Sequence, residues 1–105
     1  MNTSVKLIMK WSIIEGKDQD YFEFVVREWI PATQQLGLQT VGAWFSMYAR
    51  DESEPRIMAE LMTDSLDTMR DILKTKAWHD LLSRLDDYVE NYSQKVVYTN
   101  GNFQL

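Results

Sequence analysis

Apolar residues recur at two different periods along this chain, and the order in which those periods alternate predicts its architecture. Val5 to Ile14 alternates as a strand does, with Val5, Leu7, Met9, Trp11 and Ile13 on one side and Lys6, Ile8, Lys10 and Ser12 on the other. Glu15-Gly16-Lys17 breaks the run. A helix is predicted from Asp18, a suitable N-cap, with Asp20 and Glu23 early enough to favour the helix dipole. Its expected buried stripe is Phe22, Val26, Trp29, Thr33 and Leu36, widened by Tyr21, Val25 and Ile30. Pro31 falls inside this stripe and lacks a backbone donor, which predicts a kink or a break. Gly37 is a natural stop.

Gln39 to Arg50 returns to strand periodicity, with Val41, Ala43, Phe45, Met47 and Ala49 on one face and Thr40, Gly42, Trp44, Ser46 and Tyr48 on the other. The polar stretch through Pro55 reads as a hairpin connection to a third strand, Arg56 to Thr63, where Ile57, Ala59 and Leu61 oppose Met58, Glu60 and Met62. Asp64 or Ser65 caps a second helix with Leu66, Met69, Ile72 and Leu73 as its apolar positions. The spacing falters at Lys74-Thr75-Lys76 and resumes with Trp78, Leu81, Leu82, Leu85, Tyr88 and Val89, consistent with a separate helix capped by Thr75. A last strand runs from about Tyr92 to Thr99, with Gln94, Val96 and Tyr98 opposing Lys95 and Val97.

Strand, helix, strand, strand, helix, strand makes each helix a crossover connection. The right-handed rule for such connections leads to an α+β, ferredoxin-like fold: an antiparallel sheet in the order 4-1-3-2 with both helices on one face. Leu7, Met9, Trp11, Val41, Phe45, Met47, Ile57 and Leu61 suit the helix side. Ile8, Lys10, Ser12, Trp44, Ser46, Tyr48, Met58, Glu60 and Met62 are left open. That face is too apolar for water and too polar for a dry core, which marks an interaction surface. Two copies related by a two-fold axis could close their sheets into a barrel.

This order of elements, the Glu15-Gly16-Lys17 turn into an aromatic-rich helix, and the stretch Leu66 to Leu85 resemble the dimeric α+β barrel superfamily, over almost the whole chain. That superfamily includes antibiotic-biosynthesis-monooxygenase-like and NIPSNAP-type proteins. The resemblance implies a homodimer. It also implies an activity drawn from a wide range: cofactor-free oxygenases of aromatic polyketides, haem-degrading enzymes, isomerases, and proteins with no known reaction. The haem-degrading members carry an Asn on the first strand and a Trp and a His about ten residues apart on the second helix. Here Trp78 and His79 are adjacent, a departure that counts against haem degradation.

Composition narrows the chemistry by subtraction. The 105 residues suit one domain spanning 1–105. A net charge of −5 argues against a nucleic-acid surface, and no apolar run approaches the roughly 20 residues of a membrane span. With no cysteine and no secretory layout at the N-terminus, a cytoplasmic location is the default expectation. One histidine and four isolated glycines offer neither a metal-ligand set nor a phosphate loop, so neither a metal nor another cofactor is expected.

Two side chains stand out as candidate catalysts. His79 is the sole histidine, set a quarter-turn from the buried stripe; a structural residue at the helix edge is the favoured reading over a catalytic one. Glu60 sits mid-strand on the open face near Lys6 or Lys10: a cross-strand ion pair, or an enclosed carboxylate acting as a base. Trp44, Tyr48 and Tyr98 are expected on the cavity side, as ligand contacts or as interface filling. An apolar or aromatic ligand would lie between the sheet and the first helix, against Trp44 and Tyr48, with Glu60 or Tyr98 as its polar handle. The alternative is a non-catalytic dimerisation module whose open face forms only the subunit interface.

Overall fold

The computed structural model describes residues 4–45 and 55–99. Four strands, β1 (Val5–Ile13), β2 (Gln39–Phe45), β3 (Ile57–Thr63) and β4 (Val89–Tyr98), form one sheet in the order β2-β3-β1-β4, every neighbouring pair antiparallel. This is the ferredoxin-like arrangement the element order predicts. Between β1 and β2 the chain is helical throughout, as α1 (Asp18–Phe24), a π-helical segment (Val25–Trp29) and α2 (Ile30–Leu36). Between β3 and β4 lie two short helices, α3 (Leu66–Leu73) and α4 (Lys76–Leu85).

The boundaries follow from local chemistry. Ser65 and Thr75 are both in extended backbone conformation and accept a hydrogen bond from the amide three residues ahead, Thr68 and Trp78 respectively, each at 3.1 Å. The second cap is what divides α3 from α4. Gly37 ends α2 at φ +95°, the left-handed value a glycine takes without strain, and its amide bonds to the Gln34 carbonyl at 3.1 Å. Asp18 is the first helical residue rather than the cap, and Lys17 precedes the helix with no side-chain bond to it.

Pro31 does not break the helical segment, which runs without interruption from Asp18 to Leu36. The distortion sits one turn earlier, where the Ile30 amide reaches back five residues to the Val25 carbonyl. The wider turn leaves room for a ring that would otherwise crowd the carbonyl of Arg27. It also changes which residues face inwards. The expected stripe through Phe22 and Val26 assumed an unbroken α period, but Tyr21, Phe24, Trp29 and Thr33 are the buried residues, the middle two separated by five. Phe22, Val26 and Ile30, at regular spacing of four, line the outer face instead and are exposed.

The core lies between the helices and one face of the sheet. Val5, Leu7 and Met9 of β1 and Ile57, Ala59 and Leu61 of β3 meet Met69, Ile72, Trp78, Leu81 and Leu85 from α3 and α4. Aromatic rings fill its centre. Trp11 stacks on Tyr92 at 5.9 Å and 7°, meets Trp29 edge-on at 5.9 Å, and donates its Nε1–H to the Tyr21 hydroxyl at 2.9 Å. Trp29 in turn rests against Trp78 at 5.8 Å. Burial of the two tyrosines disfavours their charged forms: Tyr21 is pushed up to about 12 against a smaller opposing effect of the Trp11 bond, and Tyr92 is raised further.

Both edge strands depart from simple alternation. In β2 the register slips between Thr40 and Gly42, so Thr40 pairs with Leu61 on the helix side, whereas strict alternation would put it on the open face. Beyond the slip, Gly42 and Trp44 lie across from Glu60 and Met58 on the open face, as expected. Val41 and Phe45 were expected beneath the helices but are 43% and 53% exposed, because the helices pack over β1 and β3 and leave this edge bare. In β4 the strand begins at Val89, three residues earlier than the periodicity suggests. Tyr88 and Val89 lie beyond α4: the chain turns at Tyr88, whose amide bonds to the Leu85 carbonyl at 2.9 Å, and an irregularity around Asn91, at φ +58°, resets the alternation.

Candidate functional site

The sheet face away from the helices carries Lys6, Ile8 and Lys10 from β1, Gly42 and Trp44 from β2, Met58, Glu60 and Met62 from β3, and Ser93, Lys95 and Val97 from β4. No described element covers it, and Ile8, Met58 and Met62 are half-buried only by their neighbours. Ser12, also expected there, pairs with Glu90 beyond the β1–β4 irregularity and is buried, while Ser46 and Tyr48 lie outside the described residues.

Trp44 is 49% exposed. Its indole folds back along its own strand over Gly42, where a β-carbon would sit 3.0 Å from Cη2 and 3.2 Å from Cζ2. The glycine therefore lets the ring lie flat on the sheet, as an apolar plate open on its outer side. Beside it, Lys10, Trp44, Phe45, Pro55, Arg56, Ile57 and Met58 line a hollow of about 280 Å³. Lys10 also borders a second hollow, of about 220 Å³, with Ile8, Ser93, Gln94 and Lys95.

Glu60 takes the first of its two expected readings. Its Oε1 lies 3.0 Å from Lys6 Nζ, and its side chain retains only 11% exposure. Ile8 is its direct partner across the strands, so Lys6 reaches it along the diagonal. A carboxylate held this way helps fix the register of the two strands.

Tyr98 is not on the cavity side. It pairs with Val5, and Val96 pairs with Leu7, so both project from the helix-side face at the β4 edge. The cause is again the irregularity at Asn91, and Tyr98 stays 54% exposed there. The expected ligand position between sheet and first helix fails for a related reason. That layer is filled by Trp11, Tyr21 and Trp29, while Trp44 lies on the opposite face of the sheet.

His79 belongs to a different region. It is exposed on α4, on the helix side of the sheet, and lines a cleft of about 290 Å³ with Leu82, Ser83, Leu85, Asp86, Val89 and Tyr92. Its ring makes no hydrogen bond or ion pair among the described residues, so no Ser–His or His–Asp contact is formed there. The Tyr92 hydroxyl is engaged by Gln94 Oε1 at 2.5 Å. His79 and Glu60 are thus separated by the sheet and share no site.

The residues that sequence reasoning under-weighted are Lys10 and Lys95. Neither joins an ion pair among the described residues, and both border the second hollow. Alternation places each on the open face. That they flank one hollow follows only from the β1–β4 register, where Ile8 meets Lys95 and Lys10 meets Ser93.

No protein-family model matches the chain, and no curated protein matches it. Solved structures do match. A NIPSNAP family protein from Agrobacterium tumefaciens superposes with a TM-score of 0.72 at 18% identity, over 98% of this chain and 90% of that one. A protein of the "ethyl tert-butyl ether d (ethd)" family from Bacillus halodurans gives a TM-score of 0.70 at 18% identity, over 90% and 96%. A dimeric protein of unknown function and ferredoxin-like fold from Bacteroides fragilis gives 0.59 at 12% identity, over 90% and 95%. At such identities the likeness is one of fold: the chain shares the ferredoxin-like architecture of NIPSNAP-type proteins.

Proposed function

We propose that the chain acts as a homodimer whose open sheet faces meet and enclose an apolar or aromatic small molecule against Trp44. The observation that carries this reading is a tryptophan 49% exposed on a sheet face that no described element covers, with Met58 across from it and Ile8 and Met62 on the same face. Exposed apolar surface of this kind is costly in a monomer and is relieved by a partner or a ligand. The dimeric state of the Bacteroides fragilis neighbour supports the assembly by analogy of fold. A cytoplasmic location goes with this reading, and no helix among the described residues is long and apolar enough to cross a membrane.

A cofactor-independent, monooxygenase-like oxidation is the reaction such a pocket would host, because it asks the protein for binding and exclusion of water more than for a dedicated acid or base. We assign no catalytic residue: Glu60 is held by Lys6, and His79 lies across the sheet. The pairing of Glu60 equally favours the second reading, a dimerisation module without chemistry.

Sedimentation velocity on wild type and Trp44→Glu, followed by a thermal-shift ligand screen on wild type and Trp44→Ala, separates these. The expected result is a wild-type dimer that Trp44→Glu drives to monomer, and compounds that raise the melting temperature of wild type alone. A wild type that sediments as monomer at all concentrations overturns the assembly. Equal ligand shifts in wild type and Trp44→Ala remove Trp44 from the pocket, and a dimer that no compound stabilises favours the module.

A further inference from the structure

Resting on the reading of the open face as a ligand surface, we propose that the ligand is an apolar anion of the aromatic carboxylate or sulfonate type, its charge held between Lys10 and Lys95. The chain as a whole carries a net charge of −5, yet its open face runs the other way. Among the described residues Lys6, Lys10, Lys95 and Arg56 stand on or beside that face, against Glu60 and, at its far end, Glu90. Lys6 is answered by Glu60 at 3.0 Å, which leaves Lys10, Lys95 and, at the edge of the face, Arg56 without an ion-pair partner among the described residues.

Position matters more than number. Lys10 lies across from Ser93 and Lys95 across from Ile8, so the two lysines stand one diagonal step apart on adjacent strands, about 7–8 Å between backbones. Flexible side chains close that gap onto a single anionic group. Lys10 is also common to both hollows, with Lys95 on one side and Trp44 and Met58 on the other. Two cations beside a flat apolar plate match a molecule with an aromatic body and one charged end.

The assembly strengthens the argument. Sheets packed face to face lie about 10 Å apart, close to the Debye length of about 8–10 Å in salt of about 0.1–0.15 M. A second copy would bring the same two lysines to the opposite wall. Four ammonium groups enclosed together repel each other unless an anion lies among them.

Two fluorescent probes that differ by one sulfonate test this: 8-anilinonaphthalene-1-sulfonate and its neutral counterpart N-phenyl-1-naphthylamine. Each is titrated into full-length wild type, Lys10→Met/Lys95→Met, Trp44→Ala, and Lys74→Met as a control for charge elsewhere, with the oligomeric state of every variant checked by sedimentation. Wild type is expected to bind the sulfonate about tenfold more tightly than the neutral probe. The double lysine variant is expected to lose that preference while keeping its affinity for the neutral probe, Lys74→Met to retain the preference, and Trp44→Ala to weaken both probes. Equal affinities in wild type, or a preference unchanged in the double variant or lost equally in Lys74→Met, overturn the anion proposal and leave the ligand surface standing. Failure of both probes to bind, or binding indifferent to Trp44→Ala, overturns the ligand surface itself and the anion proposal with it.

Discussion

Trp11 and Trp44 are the same residue on opposite faces of one sheet, and their surroundings have little in common. Trp11 is 2% exposed, stacked on Tyr92, edge-on to Trp29, and bonded through Nε1 to Tyr21. Trp44 is 49% exposed and rests on a glycine. Both rings stand on strands of one sheet, and the difference comes from the helices. They cover one face and leave the other apolar and uncovered. One face holds the packed core of the fold; the other leaves its apolar side chains uncovered among the described residues.

The sharpest way to break this comparison is to truncate both tryptophans. Trp11→Ala should cost about 3–5 kcal/mol in urea unfolding, since it empties a fully packed site and orphans the Tyr21 hydroxyl. A loss below about 1 kcal/mol would mean the core is far looser than its packing implies.

The next effect is alkaline. An unfolded tyrosine ionises near 10, whereas Tyr21 in the folded protein ionises at about 12. Below pH 10 both states hold the proton and the contribution is intact. From pH 10 to 12 only the unfolded chain releases it, so stability falls with rising pH, by about 2–3 kcal/mol for this group. Burial raises Tyr92 as well, which deepens the same limb. Spectrophotometric titration of tyrosinate alongside melting curves checks it; two buried-face tyrosines that ionise with the exposed ones would contradict it.

On the open face, Lys6→Met and Glu60→Gln combined in a double-mutant cycle should give a coupling of about 1 kcal/mol, reduced by salt because Lys6 is only partly shielded. Each N-cap replacement, Ser65→Ala or Thr75→Ala, should cost a similar amount, about 1 kcal/mol, through the lost bond to Thr68 or Trp78. The smallest effect is expected for Trp44→Ala, about 0.5 kcal/mol or less on unfolding of the dilute monomer. A loss there approaching that of Trp11→Ala would erase the contrast between the faces.

How far the sequence could be read depended on how regular each stretch is. β1 and β3 alternate without interruption in their pairing to each other, and their faces emerge as expected down to Glu60 beside Lys6. The caps at Ser65 and Thr75 and the stop at Gly37 were legible because each rests on one local hydrogen bond or one backbone angle. The placement of Phe22, Val26 and Tyr98 was not. A π turn offsets the face that carries Phe22 and Val26 from the one that carries Trp29 and Thr33, and an irregularity at Asn91 resets the alternation of β4 before Tyr98.

The same distinction divides the whole molecule. Periodicity, capping residues and crossover handedness, all local or nearly so, determined the order of elements, the sheet order and the existence of an apolar face away from the helices. Tertiary structure decided what lies on each face: that Val41 and Phe45 escape cover at an edge, that Tyr98 leaves the site, and that Lys10 and Lys95 meet at one hollow. Those outcomes depend on strand register and on where helices sit over a sheet. Both are set by packing between segments far apart in the chain, which no single segment encodes.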